Sequence, residues 1–158
     1  MKKEIKSWKN LEGAFAGESM AYQKYLYFAK LARKKGQEEV AKLFEETAKH
    51  EIAHAEGHLR FLYPEDQLSV EDILKLAIKG ETFEYTEMYP QYEKTAIEEG
   101  QLNWAAESRE QIEESRTHAK GFEQQLSKVS KVFGGLAKVE KVHAQGYEKA
   151  LANLHAAK

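Results

Sequence analysis

Apolar residues Leu11, Phe15, Tyr22, Tyr25, Leu26 and Ala29 recur at three-and-four spacing, which predicts a helix from about Ser7 to Lys35, ended by Gly36. A second helix follows from about Gln37 to Tyr63, where Pro64 stops it. Ser69, with Asp72 three residues on, has the form of an N-terminal capping pattern, although Glu or Gln is the usual partner. From there a third helix reaches about Glu99, with a kink expected at Pro90 and a stop at Gly100. Beyond Gly100 the pattern stays helical to the end, with an interruption expected around Ser127 to Ser130 or at Gly134-Gly135.

The tail contains a repeat. His118-Ala119-Lys120-Gly121-Phe122-Glu123 returns as His143-Ala144-Gln145-Gly146-Tyr147-Glu148, offset by 25 residues, and Leu126 returns as Leu151. A segment duplication accounts for both. The second copy carries Glu140 three residues before its histidine, where the first has Ser115.

Composition agrees with an all-α fold: two prolines, few glycines, and abundant Ala, Glu, Lys and Leu. At 158 residues one domain is expected, with a first hairpin over 7–63 and a second hairpin plus duplicated tail over 69–158. A net charge of -2 argues against nucleic acid or an anionic membrane as the main partner. The sequence has no cysteine, which leaves oxygen and imidazole ligands for any metal. Residues Met1 to Lys6 lack the apolar core of a signal peptide and no run has the length of a membrane span, so a soluble, cytoplasmic protein is expected.

Candidate chemistry centres on Glu51-Ile52-Ala53-His54. A Glu and a His three apart share a helix face and can hold one metal ion together. Such a pair alone is unspecific in a chain with 32% charged residues. Matched depth makes it specific. Glu18 lies 18 residues before Gly36, while Glu51 and His54 lie 15 and 18 after it. Glu81 and Glu84 lie 19 and 16 before Gly100, with Ser115 and His118 at 15 and 18 after it. Two antiparallel hairpins of one plan would thus bring acidic groups and a histidine to one level, and buried carboxylates there need a cation or a hydrogen-bond partner. Tyr89, five after Glu84, is placed to reach a metal-bound carboxylate with its hydroxyl.

These residues resemble the rubrerythrin family, in particular its small cysteine-free members. The matching stretches are Phe15-Ala16-Gly17-Glu18-Ser19-Met20-Ala21, Tyr25-Leu26-Tyr27-Phe28-Ala29-Lys30, Glu51-Ile52-Ala53-His54-Ala55 with Gly57-His58-Leu59, and Gly80-Glu81-Thr82-Phe83-Glu84-Tyr85-Thr86-Glu87-Met88-Tyr89-Pro90. The resemblance implies a ferritin-like four-helix bundle, here with an extra C-terminal helix from the duplicated segment. It implies two iron ions per site, with manganese or zinc also acceptable, held by Glu18, Glu51, His54, Glu81 and Glu84. Glu51 would bridge the metals, and Glu84 and His54 would exchange with redox state, so that these two with Tyr89 form the expected catalytic group. The family's last helix adds a second bridging Glu and a His. Ungapped continuation from Gly100 puts them at Ser115 and His118, whereas the duplicated copy has both, so Glu140 and His143 are expected to complete the site, with Glu114 and His118 as the alternative.

The family's bundle requires a crossover between its second and third helices. Only about five residues separate Tyr63 from Ser69, a reach of roughly 17 Å against about 30 Å needed. Either residues 69–79 lie outside the third helix, or the first hairpin packs against the second hairpin of another chain; a domain-swapped homodimer is expected. The activity implied is reduction of hydrogen peroxide to water with electrons from a rubredoxin-like donor or a reductase. Ferroxidase or oxidase chemistry with dioxygen, and a non-catalytic metal-binding bundle, are the competing expectations.

Overall fold

The computed structural model describes residues 6–156; residues 1–5, read above as lacking a signal peptide's apolar core, lie outside them. Among the described residues all regular structure is helical: α1 (Lys6–Lys34), α2 (Glu38–Leu62), a 3₁₀ turn (Glu65–Gln67), α3 (Val70–Phe83), a π turn (Glu84–Met88), α4 (Tyr89–Glu98) and α5 (Leu102–Ala156). Among the described residues no helix is long and apolar enough to cross a membrane. The chain divides between Leu68 and Ser69 into two compact units. In the first, α1 packs on α2; in the second, α3 and α4 pack on α5.

Each hairpin turns on a glycine in the left-handed region, Gly36 at φ 76° and Gly100 at φ 72°. The turns are the same motif. Gly36 N–H donates to the Arg33 carbonyl and Gln37 N–H to that of Ala32, each at 3.0 Å. Gly100 and Gln101 donate to Ile97 and Ala96 at 3.1 and 2.7 Å. Both pairs satisfy the carbonyls that a helix end orphans. Across the first turn Arg33 Nε and Nη1 reach Glu38 and Glu45 at 2.9 and 2.8 Å, holding both carboxyls below the usual carboxylate range.

α3 starts on the expected cap. Ser69 N–H donates to Asp72 Oδ2, and Asp72 N–H to Ser69 Oγ, both at 3.1 Å. Asp substitutes for the commoner Glu because its shorter arm still reaches back over one turn. The break expected near Pro90 takes the form of the π turn. Proline lacks an N–H and its ring crowds the carbonyl four residues back, here Thr86. The turn before it widens, and Tyr89 N–H donates to the Glu84 carbonyl five residues back.

The expected interruption of the tail is absent, because α5 is one helix through Ser127–Ser130 and Gly134-Gly135. An interior glycine costs only about 1 kcal/mol relative to alanine, and the flanking Lys, Leu, Ala and Glu residues absorb it. Gly134 and Gly135 also lack the positive φ that ends α1 and α4. At the first turn of α3, Ser130 Oγ on α5 donates to Glu71 at 3.0 Å. From Lys131 to Lys149 every described side chain is exposed.

Within both hairpins the buried layer is mostly small residues: Ala29, Ala32, Ala41, Ala48 and Ala55, with Leu62, in the first, and Ala96, Ala105, Ser108, Ser115 and Ala119 in the second. Large apolar side chains mostly lie outside it. Met20, Phe28 and Val40 on the first hairpin, and Phe83, Tyr92 and Trp104 on the second, stay exposed. Gly36→Ala and Gly100→Ala are each expected to lower the unfolding free energy by about 1 kcal/mol, because alanine must adopt a left-handed backbone there. Urea denaturation followed by circular dichroism measures it, and unchanged midpoints would contradict the role given to the two turns.

Candidate metal centre

In the first hairpin, mid-helix packing of α1 on α2 brings three donors together. Glu18 stands on α1; Glu51 and His54 stand one turn apart on α2. His54 Nδ1 is 3.9 Å from Glu18 Oε1 and 3.6 Å from Glu51 Oε2. One donor atom from each of the three lies within 4.8 Å of the others, close enough to hold a metal ion. The Glu18 carboxyl titrates above its usual range, because it shares a hydrogen bond with Glu51, is partly desolvated, and faces Glu51's like charge; His54 and His58 offset part of this. Two carboxylates held against each other beside an imidazole are arranged for a cation.

The second hairpin repeats the plan with one residue added. Gly17-Glu18-Ser19-x-x-Tyr22 returns as Gly80-Glu81-Thr82-x-x-Tyr85, offset by 63 residues. Gly36-Gln37, Ala41, His54 and Ala55 return as Gly100-Gln101, Ala105, His118 and Ala119, offset by 64. The π turn at Glu84–Met88 accommodates the extra residue, since a five-residue hydrogen-bonded step holds one residue more than an α step. Register is thereby restored across the hairpin. Glu81 meets His118 as Glu18 meets His54, with Glu81 Oε2 3.5 Å from His118 Nδ1. Ser115 occupies the place of Glu51, and Glu84 the place of Ala21.

Two observations test whether these residues suit a cation. Glu81 Oε2 is buried and has no hydrogen-bond partner. Leaving a buried carboxylate oxygen unsatisfied costs about 1–3 kcal/mol or more, which a cation would remove. The second is the donor set itself: carboxylate oxygens with one imidazole per hairpin suit iron, manganese or zinc. Around them, Ser115 Oγ donates to Glu84 Oε2 at 2.8 Å. Tyr89's phenol titrates above its usual range through burial first and Glu84's charge second, so it keeps its proton. Its ring stands edge-on to Tyr92 at 6.1 Å.

Glu140 and His143 do not join this group within their hairpin. The sequence expectation needed the last helix to fold back, and α5 instead carries them straight on, 25 residues beyond Ser115 and His118, or about 37 Å along the axis. Both are exposed. His118 is the histidine beside Glu81; Glu114, one turn before it, is exposed and accepts from Gln111 Nε2 at 3.3 Å. Sequence reasoning noticed Ser115 as a missing carboxylate and overlooked it as the partner of Glu84. The one-residue difference between the 63 and 64 offsets was the signal available.

The chain is similar in sequence to proteins of one family. The family model for rubrerythrin matches residues 9–151. Rubrerythrin of Porphyromonas gingivalis is 32% identical over 163 aligned residues, covering 96% of this chain and 69% of that protein. Rubrerythrin-1 of Clostridium acetobutylicum is 33% identical, covering 83% of this chain and 76% of its own length. Among solved structures, nigerythrin in a fully reduced, all-ferrous state is 28% identical and covers 82% of this chain and 70% of that one, with a TM-score of 0.40.

Glu18→Gln is expected to act in opposite directions on two measurements. It removes the repulsion against Glu51, so the melting temperature of the metal-free protein rises at neutral pH, where wild-type Glu18 must ionise; it also removes a donor, so iron(II) affinity falls. The sign follows from the raised pKa: a carboxyl that holds its proton more tightly in the folded state makes folding less favourable as pH rises through its titration. A lower melting temperature for the metal-free variant would contradict this.

Proposed function

The chain belongs to the rubrerythrin family, and from that premise we propose that it is a non-haem di-iron peroxidase that reduces hydrogen peroxide to water. The observation that carries the reading is the cluster of Glu18, Glu51 and His54 in the first hairpin, with Glu81 Oε2, which has no hydrogen bond, 3.5 Å from His118 Nδ1 at the equivalent place in the second. Two iron(II) ions held by these residues would supply the two electrons that convert one peroxide and two protons into two waters. The carboxylates balance the metal charge, and each histidine gives a neutral nitrogen from an exposed face, open to a small oxidant. Tyr89 holds its hydroxyl proton beside Glu84. With no cysteine in the sequence, the electrons are assigned to a separate rubredoxin-like donor or reductase.

A complete centre needs both half-sites, and we assign their assembly to a homodimer in which the first hairpin of one copy faces the second hairpin of another. Equivalent apolar positions support it. Met20, Phe28 and Val40 correspond through the repeat to Phe83, Tyr92 and Trp104, all left exposed on both hairpins. His54 lies on the same face of α2 as Val40, and His118 on the same face of α5 as Trp104, fourteen residues from each. The linker supports it too. α3 begins at Val70, and a 3₁₀ turn rising only about 2 Å per residue takes up Glu65–Gln67, so the reach is shorter than the extended estimate.

Anaerobic stopped-flow mixing of the iron(II)-loaded protein with peroxide, beside an air-saturated run and a metal assay on one sample, tests the activity. Two irons per pair of half-sites and much faster oxidation by peroxide are expected. Faster oxidation by dioxygen would move the protein to oxidase chemistry, and little bound iron would leave a non-catalytic bundle. In the same assay His118→Ala should lower iron binding while Glu140→Gln and His143→Ala leave it unchanged; the reverse pattern would return the duplicated segment to the site.

A further inference from the structure

In the first hairpin the pair at one level is Ala21 on α1 and Glu51 on α2; the equivalent pair in the second is Glu84 on the α3 side and Ser115 on α5. Each pair therefore holds one carboxylate and one small residue, on opposite helices. The small residue of the second pair is a hydroxyl, 3% exposed, donating to Glu84 Oε2 at 2.8 Å. Ser130 also reaches across its hairpin, to Glu71 at 3.0 Å, but two other helical serines do not. Ser19 and Ser108 give their hydroxyls to the carbonyls four residues back, Phe15 at 2.7 Å and Trp104 at 2.9 Å. Ser115 turns away from its own helix and reaches across the hairpin.

We infer that Ser115 is a positioning residue for Glu84: its hydroxyl holds Glu84 Oε2 and so fixes the carboxylate that leaves Oε1 for a metal, in a half-site whose last helix has no glutamate at that level. Glu84 sits at the first position of the π turn, and the Ser115 hydroxyl holds its carboxylate there. The inference rests on the di-iron reading, since it assigns Glu84 to a metal.

Cobalt(II) titration of the full chain, read by its visible absorption bands, tests the inference through a double-mutant cycle of Ser115→Ala and Glu84→Gln, with His118→Ala marking the second-hairpin site. Helix content from circular dichroism checks folding, and alanine is a better helix former than serine. Ser115→Ala should weaken that site about 10- to 100-fold, the usual effect of removing a group that orients a metal ligand, and should add nothing once Glu84 is Gln. Equal weakening in both backgrounds would show that Ser115 acts through packing and would overturn the inference. No weakening by Ser115→Ala while Glu84→Gln weakens the site would overturn it alone. No effect of Glu84→Gln would overturn the metal reading of the second hairpin and the role of Ser115 together.

Discussion

Close approach of two helices over alanine and serine is the constraint on which everything else in this protein depends. Interhelical distance follows the side chains at the contact, and small ones bring axes toward the lower end of about 8–10 Å. At Ala29, Ala32, Ala41, Ala48 and Ala55, and again at Ala96, Ala105, Ser108, Ser115 and Ala119, that approach runs the length of each hairpin. It sets the reach of the acidic side chains. Glu18 meets Glu51 and His54, and Glu81 meets His118, because their helices are near enough for short, direct contact.

The same constraint limits stability. Alanine buries little surface, so the small-residue layer itself contributes little; in the first hairpin Phe44 packs on it, with the Tyr25 and Phe28 rings each 5.7 Å away. At mid-depth the fold also sets like charges together and leaves a carboxylate oxygen without a partner. Such local cost is what a binding site shows when its ligand is part of the design. Large apolar side chains left exposed share helix faces with the histidines, Val40 with His54 and Trp104 with His118.

Much of this was legible in the sequence. Gly36 and Gly100 marked the turns because only a residue without a side chain accepts that backbone cheaply, and Ser69 with Asp72 marked the start of α3 because capping is local chemistry. Counting outward from the turns placed Glu18, Glu51, His54, Glu81 and His118 at one depth because α-helices advance uniformly. What escaped was what departs from uniformity. The π turn, which takes up the one residue by which Glu81 lies farther from Gly100 than Glu18 from Gly36, is not foreseen by a constant rise. Gly134-Gly135 was expected to interrupt the last helix, although glycine breaks a helix only where the backbone turns left-handed. The absence of a carboxylate at Ser115 pointed to Glu140, since identity at one position is visible in sequence whereas a hydroxyl reaching across to Glu84 is not.

Anomalous diffraction at the iron absorption edge from crystals of the iron-loaded protein tests the central claim most directly. The account predicts paired anomalous peaks, one bounded by Glu18, Glu51 and His54 and one by Glu81, Glu84 and His118, with Glu140 and His143 free of metal. Iron ligated by Glu140 and His143, or carboxylates at Glu18 and Glu81 with no iron between them, would contradict it.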